Sequence, residues 1–86
     1  MYINFARKFK KSYDKAPYKI RESVNNRLKL FKQNTLHPFL NNHQLSGKYE
    51  GLRSINITGD WRAIYEEIDK DTVYFLELGT HSQLYK

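Results

Sequence analysis

The chain has no cysteine, only two prolines and four glycines, and nine acidic residues against fifteen basic ones in 86 residues. Without thiols there is no disulfide, thiolate nucleophile or cysteine-based zinc site, and a reducing cytoplasmic setting is expected. No stretch approaches the ~18 consecutive apolar residues of a membrane span, and Met1 to Arg7 lacks the apolar centre of a signal peptide, so no membrane partner is expected. A Gly-x-Ser-x-Gly elbow, a glycine-rich phosphate loop and a His-Glu-x-x-His zinc pair are all missing, as are repeats, linkers and low-complexity segments. The three histidines His37, His43 and His81 share no fixed ligand spacing, so neither a metal nor another cofactor is expected. At this length one domain spans residues 1–86, with a core that buries only a little over ~60% of the unfolded surface.

What is present is positive charge, unevenly placed. Residues 1–33 hold ten Lys and Arg and two acids, a local +8, whereas residues 34–86 hold five and seven, a local −2. A basic half of this kind is the electrostatic footprint of a polyphosphate partner, although the same residues also serve as the solvated face of amphipathic helices.

Phe5, Phe9 and Tyr13 recur at i, i+4 and i+8 between Arg7, Lys8, Lys10 and Lys11, which predicts an amphipathic helix capped by Asn4. A second helix is expected with Pro17 in its first turn and an apolar stripe of Ile20, Val24, Leu28 and Phe31 that ends at Lys32 or Gln33. From Asn34 to Ser46 the periodicity lapses, and after it the period becomes two. Leu52–Thr58, Trp61–Ile68 and Thr72–Leu78 read as strands joined by turns at Gly59-Asp60 and Asp69-Lys70-Asp71. A short strand around Leu45–Tyr49 precedes them, and Met1–Ile3 can add an edge. The predicted class is α+β, with two N-terminal helices packed on one face of an antiparallel sheet of three to four strands.

Residues able to move protons and hold phosphate gather around that sheet. RNA is cut without a metal when a base takes the ribose 2′-OH proton, a cation stabilises the phosphorane and an acid protonates the leaving 5′-oxygen. His43, just before the sheet, and His81, just after its last strand, are the acid and base candidates, with no assignment between them. Arg62 is the natural phosphate clamp because its planar fork engages two oxygens at once. Asp60 either orients a histidine or caps the turn, since a carboxylate without acidic neighbours makes a poor magnesium site. Lys48 and Arg53 can offer charge to neighbouring phosphates. Trp61 and Tyr65 suit the core, whereas Tyr85, next to the chain end, suits stacking on an unpaired base, worth ~1–3 kcal/mol.

Three ordered blocks carry a resemblance. His43-Gln44-Leu45-Ser46-Gly47-Lys48-Tyr49-Glu50-Gly51-Leu52-Arg53 resembles a His-Pro-Leu followed by Gly-x-aromatic-x-Gly-x-Arg. Gly59-Asp60-Trp61-Arg62-Ala63-Ile64-Tyr65 resembles an Asp-Trp strand ending in Ile-Tyr, and Gly79-Thr80-His81-Ser82-Gln83-Leu84-Tyr85 a Gly-Thr-His ending in Leu-Phe. Together they resemble the YafQ-like messenger-RNA interferases of the RelE/ParE superfamily of bacterial type II toxins. The resemblance implies a RelE-like microbial RNase fold with His43, Asp60, His81 and Tyr85 in the active site, and places Arg62 where the RelE branch carries its catalytic arginine. It further implies a metal-independent endoribonuclease that cuts the codon in the ribosomal A site by 2′-OH attack. A cognate antitoxin holds such a toxin silent, so the expected states are a monomer when free and a hetero-oligomer with the antitoxin.

One position departs from the pattern: Asn56 stands where these enzymes usually carry a further histidine, and an amide cannot shuttle protons. Asn56 is grouped here with Lys48, Arg53, Lys8, Lys10 and Lys11 as candidates for RNA contact. Two rival readings follow from the same scaffold, a ParE-like inhibitor of DNA gyrase without RNase activity and a weakly active relative that mainly binds an antitoxin.

Overall fold

The computed structural model describes residues 1–85. Strand β1 (Tyr2–Phe5) leads into helices α1 (Arg7–Lys15) and α2 (Tyr18–Gln33), and a 3-10 turn at Pro38–Leu40 precedes the short β2 (His43–Gln44). A second 3-10 turn, Gly47–Tyr49, is followed by β3 (Arg53–Asn56), β4 (Trp61–Asp69), β5 (Thr72–Thr80) and the one-turn helix α3 (His81–Leu84). The sheet order is β1-β5-β4-β3-β2. All neighbours are antiparallel except β1, which runs parallel to β5 with Tyr2 opposite Thr72 and Phe5 opposite Phe75. Among the described residues no helix is long and apolar enough to cross a membrane.

The α+β class and the helical hairpin agree with the sequence, but the sheet has five strands and is mixed. Asn4 and Phe5, expected on the first helix, belong to β1. The helix begins at Arg7 after Ala6, whose side chain makes no cap. The physical reason is packing: Phe5 leaves the strand toward Phe9 (ring centroids 5.2 Å apart) and Phe75 (6.0 Å), so the i, i+4 aromatic pair meets across a strand-to-helix corner. Around Leu45–Tyr49, where a strand is expected, β2 has already ended at Gln44 and a 3-10 turn follows, because Gly47 at φ +65° breaks the extended run and turns Tyr49 inward. The last strand continues past Leu78 through Gly79 and Thr80.

Helices α1 and α2 cover one face of the sheet, where Phe9, Val24 and Phe31 meet Ile55, Ile57, Ala63, Tyr65, Val73 and Phe75. The opposite face carries a smaller cluster of Tyr49, Ile64 and Leu84, flanked by Leu45, Leu52 and Tyr85. A bulge decides which β5 side chains reach which cluster. Ile64 faces Glu77 and Tyr65 faces Phe75, leaving Leu76 as the extra residue, so Phe75 and Leu78 are both buried in the helical core.

Helix α3 is locked down locally. Thr80 and Gln83 form a reciprocal capping box, with Gln83 N–H donating to Thr80 Oγ1 (3.2 Å) and Thr80 N–H donating to Gln83 Oε1 (2.9 Å). Gly79 lets the helix lie close on its own strand: a Cβ there would stand 3.0 Å from Gln83 Oε1 and 3.3 Å from Leu84 Cδ2. Burial of Leu84 adds about 1.5–3 kcal/mol to this docking.

Candidate active site

A cleft of about 310 Å³ opens on the second face of the sheet, lined by Asn41, His43, Leu45, Arg62, His81 and Tyr85. Residues 43, 62, 81 and 85 are thus brought together from β2, β4, α3 and the residue after it.

His43 is held by the backbone just before it. Asn41 takes the left-handed conformation (φ 44°), which an asparagine tolerates better than most residues, and its carbonyl lies 2.8 Å from His43 Nδ1. A carbonyl can only accept, so Nδ1 carries the proton and the neutral ring presents the Nε2 lone pair. This second nitrogen is the one available to accept a proton.

Arg62 stands on β4 and folds back over the β3–β4 turn. Its Nη1 donates to the carbonyls of Thr58 (2.9 Å), Gly59 (3.1 Å) and Trp61 (3.1 Å). Nε and Nη2 make no bond among the described residues, so the guanidinium ties the turn with one nitrogen and keeps the rest of its fork.

His81 opens α3, and its N–H donates to the carbonyl of Asp60 at 2.9 Å. This bond couples the β3–β4 turn to α3. The His81 ring lies 4.7 Å from the Tyr85 ring, which in turn meets Tyr49 edge-on at 5.7 Å. Tyr49 donates its hydroxyl to the Leu84 carbonyl at 3.0 Å. Burial, joined by the nearby Glu77 carboxylate, holds that hydroxyl above the ordinary phenol range, so it remains a donor.

The other sequence-predicted residues occupy different places. The Asp60 side chain is exposed, and its carboxylate bonds nothing among the described residues; the contribution seen is that of its backbone carbonyl to His81. Lys48 is exposed, with Nζ 5.0 Å from the Tyr49 ring centroid. Arg53 shares the helix-facing side of the sheet with its register partner Tyr65. Its Nε donates to Asn42 Oδ1 (2.8 Å), and Asn42 Nδ2 donates to the Tyr65 hydroxyl (2.8 Å) and the Thr35 carbonyl (2.8 Å). Burial raises the Tyr65 hydroxyl, an effect partly offset by the Asn42 hydrogen bond and the Arg53 charge.

Lys8 pairs with Glu77 at 3.1 Å, while Lys10 and Lys11 remain exposed on α1, on the helical side of the sheet. Asn56 lies directly across from Arg62, and its Oδ1 is buried without a hydrogen-bond partner, as is the hydroxyl of Ser54 one step along the same face. His37 lies outside the cleft, where Nδ1 accepts the Phe39 N–H (3.1 Å) and so caps the first 3-10 turn. Among the described residues no group of three His, Asp or Glu side chains could hold a metal ion.

Sequence reasoning passed over Asn41 and Leu45 as cleft residues. An asparagine two residues before a strand is a weak signal for a left-handed residue, and nothing in the sequence pointed to its carbonyl as a histidine partner. The sequence did hold the signal that Arg53 faces away: it shares parity with Ile55 and Ile57, which point to the core, whereas Ser54 and Asn56 share the face of His43 and Arg62.

This geometry coincides with a family match over the whole chain. The family model of the bacterial toxin of type II toxin-antitoxin systems, YafQ, matches residues 1–86. The chain belongs to that family. Among solved structures it is similar to YafQ from E. coli strain BL21(DE3), with 25% identity over 98% of this chain and 97% of that one and a TM-score of 0.82. It is similar to the toxin of the E. coli DinJ-YafQ toxin-antitoxin complex at 26% identity, covering 98% and 96% of the two chains with a TM-score of 0.78. The RelB-RelE antitoxin-toxin complex from Methanococcus jannaschii shares the fold, at 23% identity over 95% and 94% and a TM-score of 0.74. Comparison with curated proteins returns no significant match.

Proposed function

We propose that the protein is the toxin of a type II toxin-antitoxin pair and acts as a metal-independent endoribonuclease on messenger RNA in the ribosomal A site. The observation that carries this reading is the convergence of His43, Arg62 and His81 on one cleft, with His43 held in a single tautomer by the Asn41 carbonyl. His43 Nε2 takes the proton from the ribose 2′-OH. The 2′-oxygen attacks phosphorus, the bond to the 5′-oxygen breaks, and His81 returns a proton to that leaving oxygen, which leaves a 2′,3′-cyclic phosphate and a 5′-hydroxyl. Proton transfer by two positioned groups supplies about 10²–10⁴-fold each. Arg62 stabilises the charge that builds on the phosphorane, a contribution that is often larger.

Tyr85 stands beside His81 and offers its ring to an unpaired base. Lys48, Lys10 and Lys11 add long-range attraction to phosphate, whereas the Lys8 charge is shared with Glu77. The exposed Asp60 carboxylate can meet the substrate or the ribosome, and its backbone holds His81. The ribosome supplies alignment of the codon, since the cleft is small and open and binds few nucleotides on its own. The DinJ-YafQ and RelB-RelE complexes support an antitoxin as the silencing partner, and the +6 charge of this chain favours an acidic one. Such a toxin works in the cytoplasm, where ribosomes translate.

The test maps cleavage of a defined messenger RNA by the purified protein, with and without translating ribosomes, beside a His81→Ala variant. Cuts confined to the A-site codon and lost in the variant are expected. Undiminished toxicity of His81→Ala in cells, with no RNA cut under either condition, would replace this reading by gyrase inhibition.

A further inference from the structure

We infer that Asn56 is a positioning residue for Arg62: its side-chain oxygen is the seat that the guanidinium takes when it leaves the β3–β4 turn to meet a phosphate. The inference rests on the endoribonuclease reading above and extends it to a residue that cannot itself transfer protons. Asn56 and Arg62 are register partners on β3 and β4, and such partners carry their Cβ atoms roughly 4.5–5.5 Å apart on one face. Asn56 Oδ1 is buried with no hydrogen-bond partner. An acceptor left unmade in a protein interior is costly and calls for a donor in some state of the molecule.

The donor beside it is used unevenly. Arg62 Nη1 is shared among three turn carbonyls, while Nε and Nη2 bond nothing among the described residues. A guanidinium carries five N–H groups in one rigid plane, so a single nitrogen serving three acceptors is a holding arrangement. Rotation of the side chain off the turn brings another of its nitrogens to Asn56 Oδ1 and aims the rest of the fork into the cleft between His43 and His81. The carbonyl of exposed Gly59 then passes to water at little cost. A neutral amide suits this seat better than a carboxylate, because it fixes the fork without cancelling the charge that the phosphate needs. The amide must present oxygen rather than nitrogen to the arginine, and it is the oxygen that is buried without a partner.

The experiment compares Asn56→Ala with the parent in ribosome-dependent cleavage, thermal unfolding and side-chain NMR. Loss of the seat is expected to lower kcat by roughly tenfold to a hundredfold with KM little changed, in line with the cost of misplacing a catalytic group by about an ångström. The melting temperature should stay level or rise, because an unpaired buried acceptor has been removed. Asn56→Gln, which keeps the carbonyl on a longer arm, should recover part of kcat. In an Arg62→Lys background, which has no fork to seat, Asn56→Ala should cause no further loss. Equal losses in both backgrounds, or an unchanged kcat, would overturn the proposal.

Should the parent cut no RNA, the endoribonuclease reading fails by itself, and the seat is decided by NMR with inorganic phosphate as the probe. The Arg62 Nε–H and Asn56 amide resonances should then move together in the parent, and the Arg62 movement should vanish in Asn56→Ala. Asn56 resonances that stay still as Arg62 responds would rule the seat out.

Discussion

Gly79→Ala tests how α3 is held and whether its placement matters to chemistry. A Cβ at residue 79 would stand 3.0 Å from Gln83 Oε1, 3.3 Å from Leu84 Cδ2 and 3.4 Å from Leu84 Cγ. Two effects oppose each other. Residue 79 has no positive φ, so alanine fits the backbone and contributes about 0.4–1 kcal/mol by restricting the unfolded chain. Against this, Gln83 Oε1 can yield only by leaving the Thr80 N–H, 2.9 Å away, which undoes a cap worth about 1 kcal/mol. Leu84, 5% exposed, must also shift against Ile64 and Tyr49, at about 1–2 kcal/mol for overpacking. The crowding wins, and the balance is a loss of about 1–2 kcal/mol.

For a domain of this size that loss lowers the melting temperature by about 4–15 °C, readable by circular dichroism. Cleavage should fall further than stability, because displacing His81 and Tyr85 by about an ångström costs up to a hundredfold. The double variant Gly79→Ala, Gln83→Ala should be no less stable than Gly79→Ala alone, the cap having already been lost. A melting temperature at or above that of the parent, together with full cleavage, would show that α3 absorbs the methyl group and that its close approach is unimportant.

Asn41→Gly should keep both fold and activity, since glycine takes a positive φ and retains the carbonyl, whereas Asn41→Val should cost about 1–3 kcal/mol and reduce cleavage by loosening His43; unfolding curves and turnover measured on both variants check this. Tyr49 has a hydroxyl raised above its ordinary pKa of 10.0. Its contribution to stability is therefore fully present below about pH 10 and is lost as pH rises, because the unfolded state ionises first. Tyr49→Phe should cost about 1 kcal/mol at neutral pH through the lost bond to Leu84 and should flatten the alkaline fall, as read from denaturant unfolding between neutral pH and pH 11. Arg53→Ala and Lys48→Ala should separate cleanly. The first leaves Asn42 unsatisfied and lowers stability by about 1–2 kcal/mol with cleavage little changed, and the second leaves stability alone but weakens RNA binding and shallows its salt dependence.

The helical hairpin was legible because its signal is local: Ile20, Val24, Leu28 and Phe31 repeat at the helical period, and their burial follows from that spacing alone. The β3–β4 and β4–β5 hairpins were legible for the same reason, each pairing being set by the turn between its strands. The parity of β3 even determined that Arg53 lies on the core side. The choice of candidate residues followed from chemistry, since few side chains other than histidine and arginine suit the proposed roles.

Tertiary structure decided the rest. The pairing of β1 with β5 joins residues 2–5 to residues 72–75, and no local pattern encodes a contact across that separation. It drew Asn4 and Phe5 into the sheet against their helical spacing, because Phe5 gains more by packing on Phe9 and Phe75 than by extending α1. The cleft likewise exists only after folding. His43 and His81 are 38 positions apart in the chain, and they share a site because the Asp60 carbonyl, the Gly79 approach and burial of Leu84 dock α3 beside β2. Which residues could carry the chemistry was a property of their types, read from the sequence; which atoms face one another depended on long-range burial and hydrogen bonding that form only in the folded chain.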